Sequence, residues 1–284
     1  MQVTQKNSTT REEVKNVRSI NGLLDELGEL TPNEANNLIK SNNCVVRKRA
    51  IEYADRQSRL KQLLAEDDSN VEELILSSLG DLTVEEANKL LLEAYSYKVK
   101  ENAIRYADRQ SKLSSLLMET NSNFIDLIFS SLGNLTVEEA NKLLLEAYSY
   151  KVREMATKYA DRQSKLERLL VEEIIADLIF YSLGDISTEE ANKLLLEAGD
   201  YNVREMAIKY ADRQTKLARL LVEETSEVID PILNSLGELT IEETDKLLKA
   251  HTLKVIKYAM LNVCSEGLEE LRDVIIEKLK YIKE

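Results

Sequence analysis

Apolar and polar positions along this chain fall into one order that keeps returning. The eighteen residues LTVEEANKLLLEAYSYKV at 82–99 stand again, unchanged, at 135–152. Each copy opens with a helix start: Thr83 precedes Val84, Glu85 and Glu86, a capping box in which the hydroxyl caps the first turn and Glu86 reaches back. The leucines that follow predict a first helix to about Tyr95. Val99, Ala103, Tyr106, Gln110, Leu113 and Leu117 then lie on one stripe of helical period and predict a single second helix from Lys98 to Leu117. A short apolar run, Asn123 to Leu132, predicts a third helix, closed by Gly133 because a left-handed helix end favours glycine. In the first copy Pro32 follows Thr31, at the helical position where proline costs nothing.

Leu-Gly pairs mark the repeat. Gly28, Gly80, Gly133, Gly184 and Gly237 are separated by 52, 53, 51 and 53 residues. A period of this kind signals stacked units, each hiding its apolar face on its neighbours. The predicted fold is therefore all-α: a right-handed α-solenoid of about five tandem three-helix repeats of ~52 residues, with helical caps at both ends. The divisions are 1–26 (disordered start and capping helix), 27–78, 79–131, 132–182, 183–235, and 236–284 (degenerate fifth repeat and C-terminal capping helix). Val14, Val17, Leu23, Leu24 and Leu27 carry the first cap; Leu268, Leu271, Ile275, Leu279 and Ile282 carry the last. Three helices per unit resembles the armadillo and HEAT plan in architecture only, across residues 27–284, with a longer period and no matching motif. That resemblance implies a partner-binding groove without catalysis.

Composition narrows the class. Two prolines, eight glycines and no tryptophan suit helices. A net charge of −13 weighs against an electrostatic grip on nucleic acid or an acidic membrane. Two cysteines in unrelated contexts argue against a disulfide framework or a thiolate metal site. The polar start has no signal-like apolar core, and the richest apolar stretch, 174–183, is too short to span a bilayer. The expectation is a soluble, cytoplasmic protein, with export as an effector the alternative, that uses no metal or cofactor.

Candidate chemistry centres on an octet: YADRQSRL at 53–60, YADRQSKL at 106–113 and 159–166, YADRQTKL at 210–217. On one continuous helical wheel the tyrosine and glutamine fall at the centre of the buried stripe, about 20° either side of Val99. Asp108 points outward and Arg109 sits on the shoulder. Gln57, Gln110, Gln163 and Gln214 are thus expected to form an interior inter-repeat polar ladder, since a buried amide needs a partner. Arg56, Arg109, Arg162 and Arg213 have two readings: bridges to the glutamates of the next TxEEAN turn, or a row of guanidinium groups facing a partner. Tyr95, Tyr97, Tyr148, Tyr150 and Tyr201, in the turns after the first helix, are the other candidate partner-binding residues, since tyrosine suits protein interfaces; the competing reading packs one ring per turn beneath the loop.

Catalysis finds no support. His251 is the only histidine, no phosphate loop is present, and the paired glutamates do not face each other on a helix. The expected function is non-enzymatic binding of a protein or peptide along an extended helical surface. The alternatives are single-stranded nucleic-acid binding, one unit per repeat, and structural self-assembly through the repeat ends.

Overall fold

A computed structural model describes residues 28–262, together with positions 22 and 276. Both terminal caps expected from the sequence lie mostly outside the described residues. Every described element is a helix, and no strand occurs among them. The chain divides into two compact units, one ending at Asn134 and the other beginning at Leu135.

In the first unit the helices are α1 (Pro32–Leu38), α2 (Cys44–Ile51), α3 (Arg56–Ala65), α4 (Ser69–Leu79), α5 (Val84–Glu93), α6 (Tyr97–Ile104), α7 (Arg109–Met118) and α8 (Ser122–Leu132). The second holds α9 (Val137–Glu146), α10 (Tyr150–Thr157), α11 (Arg162–Leu169), α12 (Ala176–Leu183), α13 (Thr188–Glu197), α14 (Tyr201–Ile208), α15 (Arg213–Leu220), α16 (Ser226–Leu236), α17 (Ile241–Leu247) and α18 (Leu253–Leu261). Each of the first four repeats therefore holds four described helices, not three. The expected long second helix is broken in the middle of the octet. Asp108 is extended, with φ −71° and ψ 167°, and its carboxylate accepts from the Ser111 N–H at 2.7 Å. Asp55, Asp161 and Asp212 do the same for Ser58, Ser164 and Thr215. An aspartate that satisfies an orphan N–H starts a new helix, and this outweighs the in-phase apolar stripe that predicted one.

The other starts follow the sequence. Thr31, Thr83, Thr136, Ser187 and Thr240 all make complete capping boxes with the glutamate three residues on. Gly80 shows why the Leu-Gly pair recurs. It ends α4 at φ 64°, a left-handed conformation open to glycine and strained for other residues.

In the second, third and fourth repeats the first helix packs on the second and third, and the second and third both pack on the fourth. Ala87, Leu90 and Leu91 of α5, Val99 and Ala103 of α6, Leu116 of α7 and Ile125 and Ile128 of α8 form the buried interior of one such unit. Successive repeats meet where the third helix of one touches the first of the next: α3 on α5, α11 on α13, and α15 on α17.

Candidate functional site

The octet is best understood one residue at a time. Ala107 is buried, and Asp108 caps α7. The same Asp108 also faces Asn88 of the EEAN sequence on α5: Asn88 Nδ2 donates to Asp108 Oδ2 at 2.6 Å, and the Asp108 N–H donates to Asn88 Oδ1 at 2.9 Å. Asn36 with Asp55, Asn141 with Asp161, and Asn192 with Asp212 repeat this reciprocal pair. Asp108 is thus exposed, as the wheel predicts, but it works as a two-way latch and not as a free surface carboxylate. Its carboxyl lies below the usual range because the Ser111 N–H and Asn88 hydrogen-bond the charged form.

The arginine that follows reaches forward into the next repeat. Arg56 grips Glu86 with both ends of the fork, Nε to Oε1 and Nη2 to Oε2, each at 2.7 Å. It also donates to the carbonyls of Leu79 and Asp81, which flank the glycine turn. Arg162 makes the same four contacts with Glu190, Leu183 and Asp185, and Arg213 with Glu243, Leu236 and Glu238. Arg109 donates to the Leu132 and Asn134 carbonyls at 2.7 and 2.8 Å. The arginine hydrogen bonds hold Glu86, Glu190 and Glu243 at a pKa of about 2. This is the bridging geometry, in which Arg56, Arg162 and Arg213 reach forward and Glu86, Glu190 and Glu243 reach back.

The glutamines are a correction. Gln57, Gln110, Gln163 and Gln214 are all exposed, and Gln163 donates only to Glu167 on its own helix, at 2.8 Å. There is no interior amide ladder, because the break at Asp108 resets the helical phase that placed them inward.

A second set of contacts, not anticipated from the sequence, holds the turns after each first helix. Glu66, Glu119, Glu172 and Glu223 are buried at the ends of successive third helices. Burial pushes Glu172 up, but Arg153, Arg168 and the Ile174 N–H bring it down to about 2. Arg153 reaches Glu172 at 2.8 Å and also donates to the Ala147 and Tyr148 carbonyls. Arg204 pairs with Glu223 at 3.1 Å and donates to the Ala198 and Gly199 carbonyls. Arg47 does the same for Glu66 and the Ser41 carbonyl. The second repeat differs: Lys100 and Ser115 stand where the third repeat has Arg153 and Arg168. Glu119 instead accepts from the Tyr97 hydroxyl at 2.9 Å. The visible signal was the repeated VRE and LLVEE pairing, which spacing alone does not bring together.

These clamps display the turn tyrosines. Tyr95 and Tyr148 are 82% and 73% exposed, and Tyr97, Tyr150 and Tyr201 are also exposed. Only Tyr97 shows a ring contact of the kind a packed turn needs, edge-on to Phe124 at 5.2 Å. In the second unit Val171, Ile174 and Val222, in the turns after the third helices, are exposed as well. The first unit also has a groove of about 850 Å³ between α4, α6 and α8, lined in part by Leu76, Asn102, Arg105, Lys112 and Leu127.

Among the described residues no group of histidine, cysteine or carboxylate side chains is placed to hold a metal ion. None of the described helices is long and apolar enough to cross a membrane. No known family, curated protein or solved structure matches the chain.

Proposed function

We propose that this protein is a non-enzymatic helical scaffold that binds a protein or peptide along the turn edge of its repeats. The observation that carries this is the contrast between the two kinds of repeated polar and aromatic residue. The arginines are engaged at the junctions between repeats, whereas Tyr95, Tyr148, Tyr150 and Tyr201 are exposed on turns clamped from beneath. Large rings held on a rigid frame suit protein recognition, because little conformational entropy is lost on binding.

The test is a nuclease-treated pull-down comparing the wild type with a Tyr95→Ser, Tyr148→Ser, Tyr150→Ser, Tyr201→Ser variant. Tyr97 is left intact because its hydroxyl holds Glu119. The variant is expected to keep the wild-type circular dichroism melt and to lose specific partners. An unchanged set of captured proteins refutes the assignment to this edge, and a set removed entirely by nuclease refutes the class of partner.

A further inference from the structure

The turn edge of the second unit is continuous, and its contacts can be followed across it. Arg168 donates to the Leu145 carbonyl, and Arg153 joins Tyr148 to Glu172. The Gly199 N–H donates to the Leu170 carbonyl at 3.0 Å, which brings the next turn alongside. Arg219 then donates to the Leu196 carbonyl while pairing with Glu223, and the His251 N–H donates to the Leu221 carbonyl. Segments 145–148, 168–174, 196–201, 219–224 and 251–253 therefore form one fixed ridge. Tyr148, Val171, Ile174, Tyr201, Val222 and Leu253 are exposed along it.

Charge decides what fits there. Glu146, Glu173, Glu197 and Glu224 are exposed beside these apolar residues and take part in no ion pair among the described residues. These arginines and lysines along the ridge are already paired: Arg153 and Arg168 with Glu172, Arg204 and Arg219 with Glu223, Lys249 with Asp245, and Lys254 with Asp230. What faces outward is an aliphatic and aromatic strip interleaved with unneutralised carboxylates. We infer that this ridge docks a basic polypeptide segment, in which lysines or arginines alternate with apolar anchors. The inference rests on the scaffold reading above and narrows it to a partner chemistry.

Peptide display against the immobilised full chain tests this without presupposing a sequence. Enriched peptides are expected to be net positive with interspersed aliphatic or aromatic residues. Fluorescence anisotropy of the best peptide should then weaken at least tenfold with Glu146→Gln, Glu173→Gln, Glu197→Gln and Glu224→Gln combined. It should also weaken with Val171→Ser and Ile174→Ser, and with added salt. Glu85→Gln with Glu138→Gln, on exposed glutamates at helix starts, serves as the control and should change nothing.

Enrichment of neutral or acidic peptides that still lose binding with Val171→Ser and Ile174→Ser overturns the basic partner and leaves the scaffold reading standing. Enriched peptides that ignore every ridge variant overturn both the ridge and the partner. Tighter binding of a 20-residue poly-uridine, or concentration-dependent sedimentation abolished by Ile174→Ser, replaces the partner with nucleic acid or a second copy of the chain.

Discussion

Replacing Arg153 with methionine removes the head of the best-buried clamp while keeping most of its apolar stem. The arginine side chain is 8% exposed and Glu172 is 2% exposed, so neither is screened as a surface pair would be. Breaking a buried pair costs about 3–5 kcal/mol when the other charge is stranded. Here Glu172 keeps Arg168 at 2.7 Å and the Ile174 N–H at 3.1 Å, so part of that penalty is avoided. The Ala147 and Tyr148 carbonyls lose their donor, which adds back about 1 kcal/mol. The net expectation is a loss of about 2–3 kcal/mol, measured by urea unfolding followed by circular dichroism. Hydrogen exchange should quicken locally at 147–150. Adding Glu172→Gln to Arg153→Met should recover about 1 kcal/mol, although Glu172→Gln alone destabilises; the double-mutant cycle isolates that coupling. A single-variant loss below about 1 kcal/mol, or additive effects, refutes the reasoning.

Four further outcomes follow from the same contacts. Arg162→Ala, which breaks a bridge whose arginine side chain is 43% exposed, should cost only about 1–2 kcal/mol after discounting for solvent screening, read from the urea midpoint. Glu86, Glu172, Glu190 and Glu243 sit at about 2 against 4.5 for the free carboxyl, so their contribution is complete above about pH 4.5 and drains away as pH falls toward 2; a circular dichroism titration should show it, with a shallower slope in Arg162→Ala. Supplying the arginines that the second repeat lacks, Lys100→Arg with Ser115→Arg, should raise stability by about 1 kcal/mol and slow exchange at 94–97. Gln110→Ala should change stability by less than about 0.5 kcal/mol, whereas a buried ladder would make it cost several times more.

Helix starts, glycine ends and the period of the array were legible because each depends on a few neighbouring residues. Thr83 with Glu86, and Gly80 after Leu79, carry their own geometry. The break at Asp108 was not legible from the hydrophobic stripe, since Val99, Ala103, Tyr106 and Leu113 stay in phase on both sides of it. The signal was the Asp-x-x-Ser spacing, read as part of one helix rather than as the start of another. The buried carboxylates were hidden for a different reason. Arg153 and Glu172 are 19 residues apart and meet only once two helices have turned back, and nothing in a charged surface-type pair announces burial. The fifth unit held a clue to the latch. Asp245 stands where the other copies have asparagine and Met260 where they have aspartate, so both halves are replaced together, while Glu243, which the preceding Arg213 requires, remains.

The forward guanidinium and backward carboxylate have an evolutionary consequence. A module that carries a plug at one end and the matching socket at the other can be copied or deleted in whole periods, and every new junction finds its complement already made. Lengthening such a gene requires no compensating mutation, only a recombination in register. The identical stretches at 82–99 and 135–152 are what such an event leaves behind while the copies are young. A change in plug or socket alone would strand its neighbour, so drift is tolerated first at the turns, where copies already differ and where a partner would be met.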